Sequence, residues 1–280
     1  MTRIVAFLLS FLLLAAPAAA EAPFRLQPLE QRLQAIANIN PGNIGIAALD
    51  LTSGEMVSVH GDEPFPMAST VKVAIAAAYL TQVEHGRRSL DDRIEGRSVR
   101  SLMEAMLIRS DNAATDIILR NLGGPKAMQE WLTFHRLEGL RVDRSIARLL
   151  ADRRDLRDVR DSSTPKAMVN LLARLDQGIL QPQSRTYLLD LMARCATGKN
   201  RMRGLLPSGT PVAHKTGTLN GLTTDVGFIT LPDGRRVAVA LFARSGVNRP
   251  MTLAQAARSI YDGFSRISLP LSGPFVFGGQ

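Results

Sequence analysis

Three short groups of residues in this chain carry side chains that could act together on an acyl group. They are Ser69 with Lys72, the run Ser110-Asp111-Asn112, and the run Lys215-Thr216-Gly217-Thr218. Ser69 and Lys72 stand at i and i+3, so on a helix they share one face. Burial in the apolar run from Val71 to Tyr79 penalises an ammonium and favours its neutral form. A neutral lysine one turn from a hydroxyl can take its proton and make it a nucleophile. The spacing alone is weak, since a Ser-x-x-Lys pair arises about once by chance in a chain this long. Ser163 and Lys166 share it, and there Thr164-Pro165 reads as an ordinary helix start. All three groups in this order should occur in roughly one random chain in a thousand. The set therefore carries the reading, and the pair does not.

The elements that must hold these groups follow from periodicity. Leu29–Ile39 reads as an amphipathic helix, followed by a hairpin of NIGIAALDL and EMVSVHG around the turn TSGE. Helices are expected over Ser69–His85, Val99–Ile108, Asn112–Asn121, Lys126–His135, Thr164–Asp176 and Gln183–Arg194. The period then becomes two in TPVAHKTGT, TTDVGFITL and RRVAVALFAR, and Pro250–Ile267 closes the pattern as a helix. The economical packing is an α/β (α+β) arrangement: one five-stranded antiparallel sheet built from both ends of the chain and covered by the terminal helices. By this reading residues 21–62 and 208–280 form the sheet lobe and residues 63–207 an inserted all-helical lobe. The cleft between the lobes is the expected place for a site.

Residues 1–20 have a basic start, an apolar core and small residues before Glu21, the pattern of a secretory signal cleaved after Ala20. The protein is therefore expected in the periplasm or outside the cell, with no membrane span once the signal is removed. The 280 residues and 45% hydrophobic content provide for a large core. Lys and Arg outnumber Asp and Glu by 34 to 25, but aromatics make up only 5% and none interleave with basic runs. That argues against a base-stacking nucleic-acid platform and for a solvated basic face. Cys195 is the only cysteine, so no intramolecular disulfide can form, and it reads as buried and inert. His60, His85, His135 and His214 lack metal-ligand spacing. His214, beside Lys215, reads as part of a site wall, and Trp131 with Met128 as core.

The three groups are the signature of serine β-lactamases and penicillin-binding proteins, and nearly all of the chain after the signal resembles a class A β-lactamase. FPMASTVKV resembles that family's approach to its nucleophile, RDSSTP the segment closing its omega loop, and TGKNRMRGLLP the run before its lysine strand. The resemblance implies that Ser69 is acylated, Lys72 relays its proton and Ser110 protonates the leaving nitrogen. It implies that Asn112 holds Lys72 and the substrate amide, while Lys215, Thr216 and Arg201 face the substrate carboxylate. Gly217 belongs to the same lysine-strand motif. The N–H groups of Ser69 and Thr218 would form the oxyanion hole. No metal or cofactor is implied, and a monomer is expected.

Two departures stand out. The family's omega loop carries a glutamate that activates the deacylating water. Here Arg144 and Asp161 bracket a slightly longer loop without one. Its carboxylates are Asp152, Asp155 and Asp158, of which Asp152 or Asp155 could substitute as base, unless arginine pairing occupies them. Only 37 residues separate Lys72 from Ser110, fewer than is usual, which implies a wider cleft. A D-alanyl-D-alanine peptidase or esterase, or a penicillin-binding protein that acylates with little turnover, are the alternatives these departures keep open.

Overall fold

The computed structural model describes residues 24–266 apart from Pro41 and Arg154; the expected export signal lies outside them. Helix α1 (Gln27–Ile39) buries Leu29, Leu33 and Ala37 along one stripe. Strands β1 (Asn43–Asp50) and β2 (Met56–Val59) form the expected hairpin, Ala47 opposite Ser58 and Leu49 opposite Met56. The Asp50 carboxylate closes its turn by accepting the Thr52 N–H at 2.8 Å. Strand β3 (Phe65–Pro66) then leads through a 3₁₀ turn at Ala68–Thr70 into α2 (Val71–Glu84). Every residue of α2 from Val71 to Thr81 is buried, as its unbroken apolar sequence requires.

The helical block continues after a two-residue pair, β4 (Arg93–Ile94) with β5 (Arg97–Ser98). Helix α3 (Val99–Ile108) is capped by Ser98, whose hydroxyl accepts the Ser101 N–H, and α4 (Asn112–Asn121) by Asp111, whose carboxylate accepts that of Ala114. Next come α5 (Gly124–Phe134), α6 (Ile146–Ala151), β6 (Ser162–Ser163), α7 (Pro165–Arg174) and α8 (Pro182–Ala193). Strands β7 (Val212–Leu219), β8 (Leu222–Thr230) and β9 (Arg236–Arg244) and helix α9 (Arg249–Ser265) complete the described chain.

The main sheet is antiparallel with order β2-β1-β9-β8-β7, so strands from both ends of the chain do build it. Each face has its own core. Ile44, Ile46, Val239 and Leu241 point under α1 and α9 with Leu33, Leu253 and Ile260. Ala47, Val226, Phe228 and Phe242 point the other way, into the core shared with α2, α3 and α7. The helix expected to begin at Ser69 differs from expectation at its start. Ala68 takes φ +49°, a conformation costly for a residue with a Cβ, and Ser69 lies in the 3₁₀ turn before α2 proper.

Candidate active site

The turn bearing Ser69 is fixed from several sides. The Thr70 hydroxyl donates to the Met67 carbonyl at 2.7 Å, and the Met67 N–H donates to the Asp161 carbonyl at 2.9 Å. Strand β7 presses against it: a Cβ on Gly217 would come within 2.4 Å of the Thr224 hydroxyl and 2.8 Å of the Met67 carbonyl oxygen. Only glycine allows β7 to lie this close to the turn that bears Ser69. Ser69 itself is half-buried.

Lys72, one turn on, is fully buried. Its Nζ donates to the Ser110 carbonyl at 2.8 Å, to the Ser110 hydroxyl at 3.2 Å and to Asn112 Oδ1 at 2.8 Å. From the other wall, Lys215 Nζ donates to the same Ser110 hydroxyl at 2.9 Å and to the Thr216 carbonyl at 2.9 Å. One hydroxyl thus sits between two buried lysine nitrogens. Ser110 is held there with φ +61°, a second uncommon backbone state at the same point. Burial, and then the neighbouring Lys215, bring the Lys72 pKa down to about 7. Burial likewise lowers that of Lys215 to about 8. Each is accessible as a neutral amine near neutrality, as a proton relay needs.

The second half of the site lines the edge of β7. Arg201 Nη1 donates to the carbonyls of Gly217 at 2.9 Å and Thr224 at 3.0 Å, and its Nη2 to the Thr218 hydroxyl at 2.7 Å. The Thr216 hydroxyl bonds that of Thr197. With Lys215 this makes a cationic, hydroxyl-rich margin suited to an anionic carboxylate. Ser69, Lys72, Ser110, Asn112, Arg201, Lys215, Thr216, Gly217 and Thr218 therefore come together from the 3₁₀ turn, α2, the α3–α4 turn, the start of α4, the segment before β7 and β7 itself.

The loop between Arg144 and Asp161 has a different character. Arg144 pairs with Asp161 at 2.6 Å, Asp152 at 3.0 Å and Asp158 at 3.4 Å. Asp152 also pairs with Arg148 at 2.9 Å. Arg160 is the main cause, ahead of Arg144, of the Asp158 pKa lying at about 2. Asp155 is exposed and accepts the Arg157 N–H at 2.8 Å. Among the described residues, no hydrogen bond or ion pair joins Asp152 or Asp155 to Ser69, Lys72 or Ser110.

Sequence reasoning missed several parts. Asp116 on α4 receives the Ile146 and Ala147 N–H groups at 2.7 and 2.8 Å and so supplements the Ser145 cap at the start of α6. Thr197, whose hydroxyl meets that of Thr216, has no sequence signal of its own beyond the run in which it stands. His214 differs from its expected place: it is fully buried on the face of β7 opposite Lys215, with Nδ1 at 2.8 Å from Asp225 Oδ1. It is an interior group and no wall of the cleft. No group of three or more His, Cys, Asp or Glu side chains that could hold a metal occurs among the described residues. No described helix is long and apolar enough to cross a membrane.

Comparison with known proteins places this geometry. The model of the beta-lactamase enzyme family matches residues 28–264. Extended-spectrum beta-lactamase PER-1 of Pseudomonas aeruginosa is 28% identical over 267 residues, covering 83% of this chain and 86% of that protein. An ancestral class A β-lactamase structure superposes with TM-score 0.81 at 32% identity, over 84% of this chain and all of that one (100%). A β-lactamase from Xanthomonas campestris pv. campestris gives TM-score 0.80 at 26% identity, over 86% and 98% of the two chains. The chain belongs to the β-lactamase enzyme family, hydrolases of β-lactams, and has the class A fold.

Proposed function

We propose that this protein opens the β-lactam amide through an ester on Ser69. The observation that carries this reading is the Ser110 hydroxyl held at 3.2 and 2.9 Å between Lys72 and Lys215, beside the turn that bears Ser69. Neutral Lys72 takes the Ser69 proton as Oγ attacks the carbonyl carbon. The N–H groups of Ser69 and Thr218 receive the oxyanion. Collapse breaks the C–N bond, and Ser110 gives the nitrogen its proton, resupplied from Lys72. Arg201, Lys215 and Thr216 hold the substrate carboxylate, and Asn112 holds its side-chain amide. Water then cleaves the ester and restores Ser69.

The water step is where a second reading enters. The loop lacks a glutamate, and both oxygens of Asp152 are already engaged, one by Arg144 and the other by Arg148. This supports a β-lactamase that releases its acyl group slowly, with Asp152 or Asp155 activating the water; a penicillin-binding protein that acylates with little turnover is the alternative. A D-alanyl-D-alanine substrate fits the same chemistry. We place the protein in the periplasm or outside the cell, on the pattern of residues 1–20.

Intact mass followed against time after mixing with a penicillin tests both parts. The expected result is a rapid gain of one penicillin mass on Ser69 that decays slowly, and no gain in Ser69→Ala. An adduct on another residue, or none at high concentration, overturns the nucleophile assignment. Burst-free turnover unaffected by Asp152→Asn, Asp155→Asn and Asp158→Asn overturns slow release and places the base outside the loop, with Lys72 the first candidate.

A further inference from the structure

Asp225 lies on β8 with no exposed surface. Both of its oxygens are engaged. Oδ1 accepts His214 Nδ1 at 2.8 Å, and Oδ2 accepts the Met202 N–H at 3.0 Å. Met202 is the residue after Arg201, whose guanidinium reaches Gly217, Thr224 and Thr218. A continuous path therefore runs from the sheet interior to the cationic margin: His214, Asp225, the Met202 peptide, Arg201. His214 is also fully buried, and its Nε2 has no hydrogen-bond partner.

A buried carboxylate and imidazole are an expensive way to fill a sheet face, and apolar side chains of similar volume commonly do as well or better. What an apolar pair could not do is fix a backbone N–H beside Arg201 or set a carboxylate beneath the half-buried Arg201 and the buried Lys215. The field of Asp225 favours the charged forms of both Arg201 and Lys215, against the burial that opposes them.

We propose that Asp225 is a positioning residue for recognition of the substrate carboxylate, oriented by His214 and acting through Arg201 without touching the substrate. This rests on the reading that Arg201 faces that carboxylate. The Nδ1–H of His214 holds Oδ1, which turns Oδ2 toward the Met202 peptide. The guanidinium is thereby set at one position along β7 before substrate arrives, so less order is lost on binding.

The test compares acylation of the protein by a penicillin and by the methyl ester of its carboxylate. Wild type should prefer the acid, and Arg201→Ala should collapse that preference. Asp225→Asn should lower the rate constant for the acid about tenfold, through KM, the scale of one charge-assisted hydrogen bond. The ester should change less than about twofold, because its reacting atoms meet Ser69, Lys72 and Ser110 unchanged. His214→Asn keeps a donor near Nδ1 and should retain the preference, while His214→Leu should lose about as much as Asp225→Asn. These two variants carry the test if Asp225→Asn does not fold. Equal losses on acid and ester, or none on either, overturn the proposal, as does His214→Asn behaving like His214→Leu. A wild type that neither compound acylates would instead overturn the Ser69 mechanism on which the proposal rests.

Discussion

Ser69-x-x-Lys72 and Ser163-x-x-Lys166 have the same residues at the same spacing and opposite surroundings. Lys72 is sealed inside with a second lysine as neighbour and only neutral oxygens as direct partners. Lys166 reaches outward to Asp62 at 2.6 Å, its side chain 26% exposed, so its ammonium has both water and a counter-ion. Ser163 turns its hydroxyl to the Thr164 carbonyl, whereas Ser69 stands on a turn whose own carbonyls are taken by its neighbours. Spacing brings a hydroxyl and an amine together. Desolvation with no directly bonded counter-ion is what the base role proposed for Lys72 requires. The second pair is not idle, for Ser163 pairs with Phe65 in the β3–β6 ladder and so anchors the approach to Ser69.

The comparison breaks most readily at the lysines. Lys72→Ala should slow acylation by at least about a hundredfold, the scale of a lost general base, and Lys166→Ala by less than about twofold. Equal effects in a stopped-flow assay would mean that burial does not separate the two pairs. The pH profile sharpens it further. With Lys72 depressed to about 7, its neutral form is lost below that pH, so acylation should fall close to tenfold per pH unit there and level off above.

The same depression affects stability. Below pH 7 Lys72 is protonated folded or unfolded. From about 7 up to the ordinary lysine value near ~10.4 only the unfolded chain holds the proton, so stability rises with pH across that window. Lys215, at about 8, adds to the rise over its own narrower window. Urea titrations should show this slope in wild type and a shallower one in Lys72→Met, whereas Lys166→Met should leave it unchanged.

Smaller effects probe the loop that joins the two pairs. Asp161 accepts the Asp143 and Arg144 N–H groups and the Arg144 guanidinium, so Asp161→Asn should cost about 2 to 3 kcal/mol in denaturant titration. Smallest of all, Lys166→Ala should cost less than about 1 kcal/mol, as exposed ion pairs do.

Much of the fold was legible because its signals are local. Val99–Ile108 and Asn112–Asn121 carry a cap and an apolar stripe within their own length, and both have the boundaries read from sequence. The three strands from β7 to β9 announce themselves by alternation and turns. What escaped depends on distant partners. Helix α6 has only six residues and, besides its own Ser145 cap, leans on the Asp116 carboxylate of α4, 30 residues earlier. Strands β3 and β6 have two residues each, too few for any period. The convergence of Lys72, Ser110 and Lys215 could be anticipated from three motifs in order. The interior position of His214 could not, because the strand pattern leaves open which face meets the cleft, and its partner Asp225 lies across a strand pair.

The pairing of β1 with β9 sets Asn43 opposite Arg244, some 200 residues away along the chain. Closing a loop of that length costs ~5 kcal/mol of entropy before any contact repays it, and such topologies fold slowly. Strand β7, which brings Lys215 to Ser110, reaches β1 only through β8 and β9. A growing chain can therefore form α2 and expose Ser69 long before the second lysine can arrive. Catalytic competence should appear late in folding, as one of its last events.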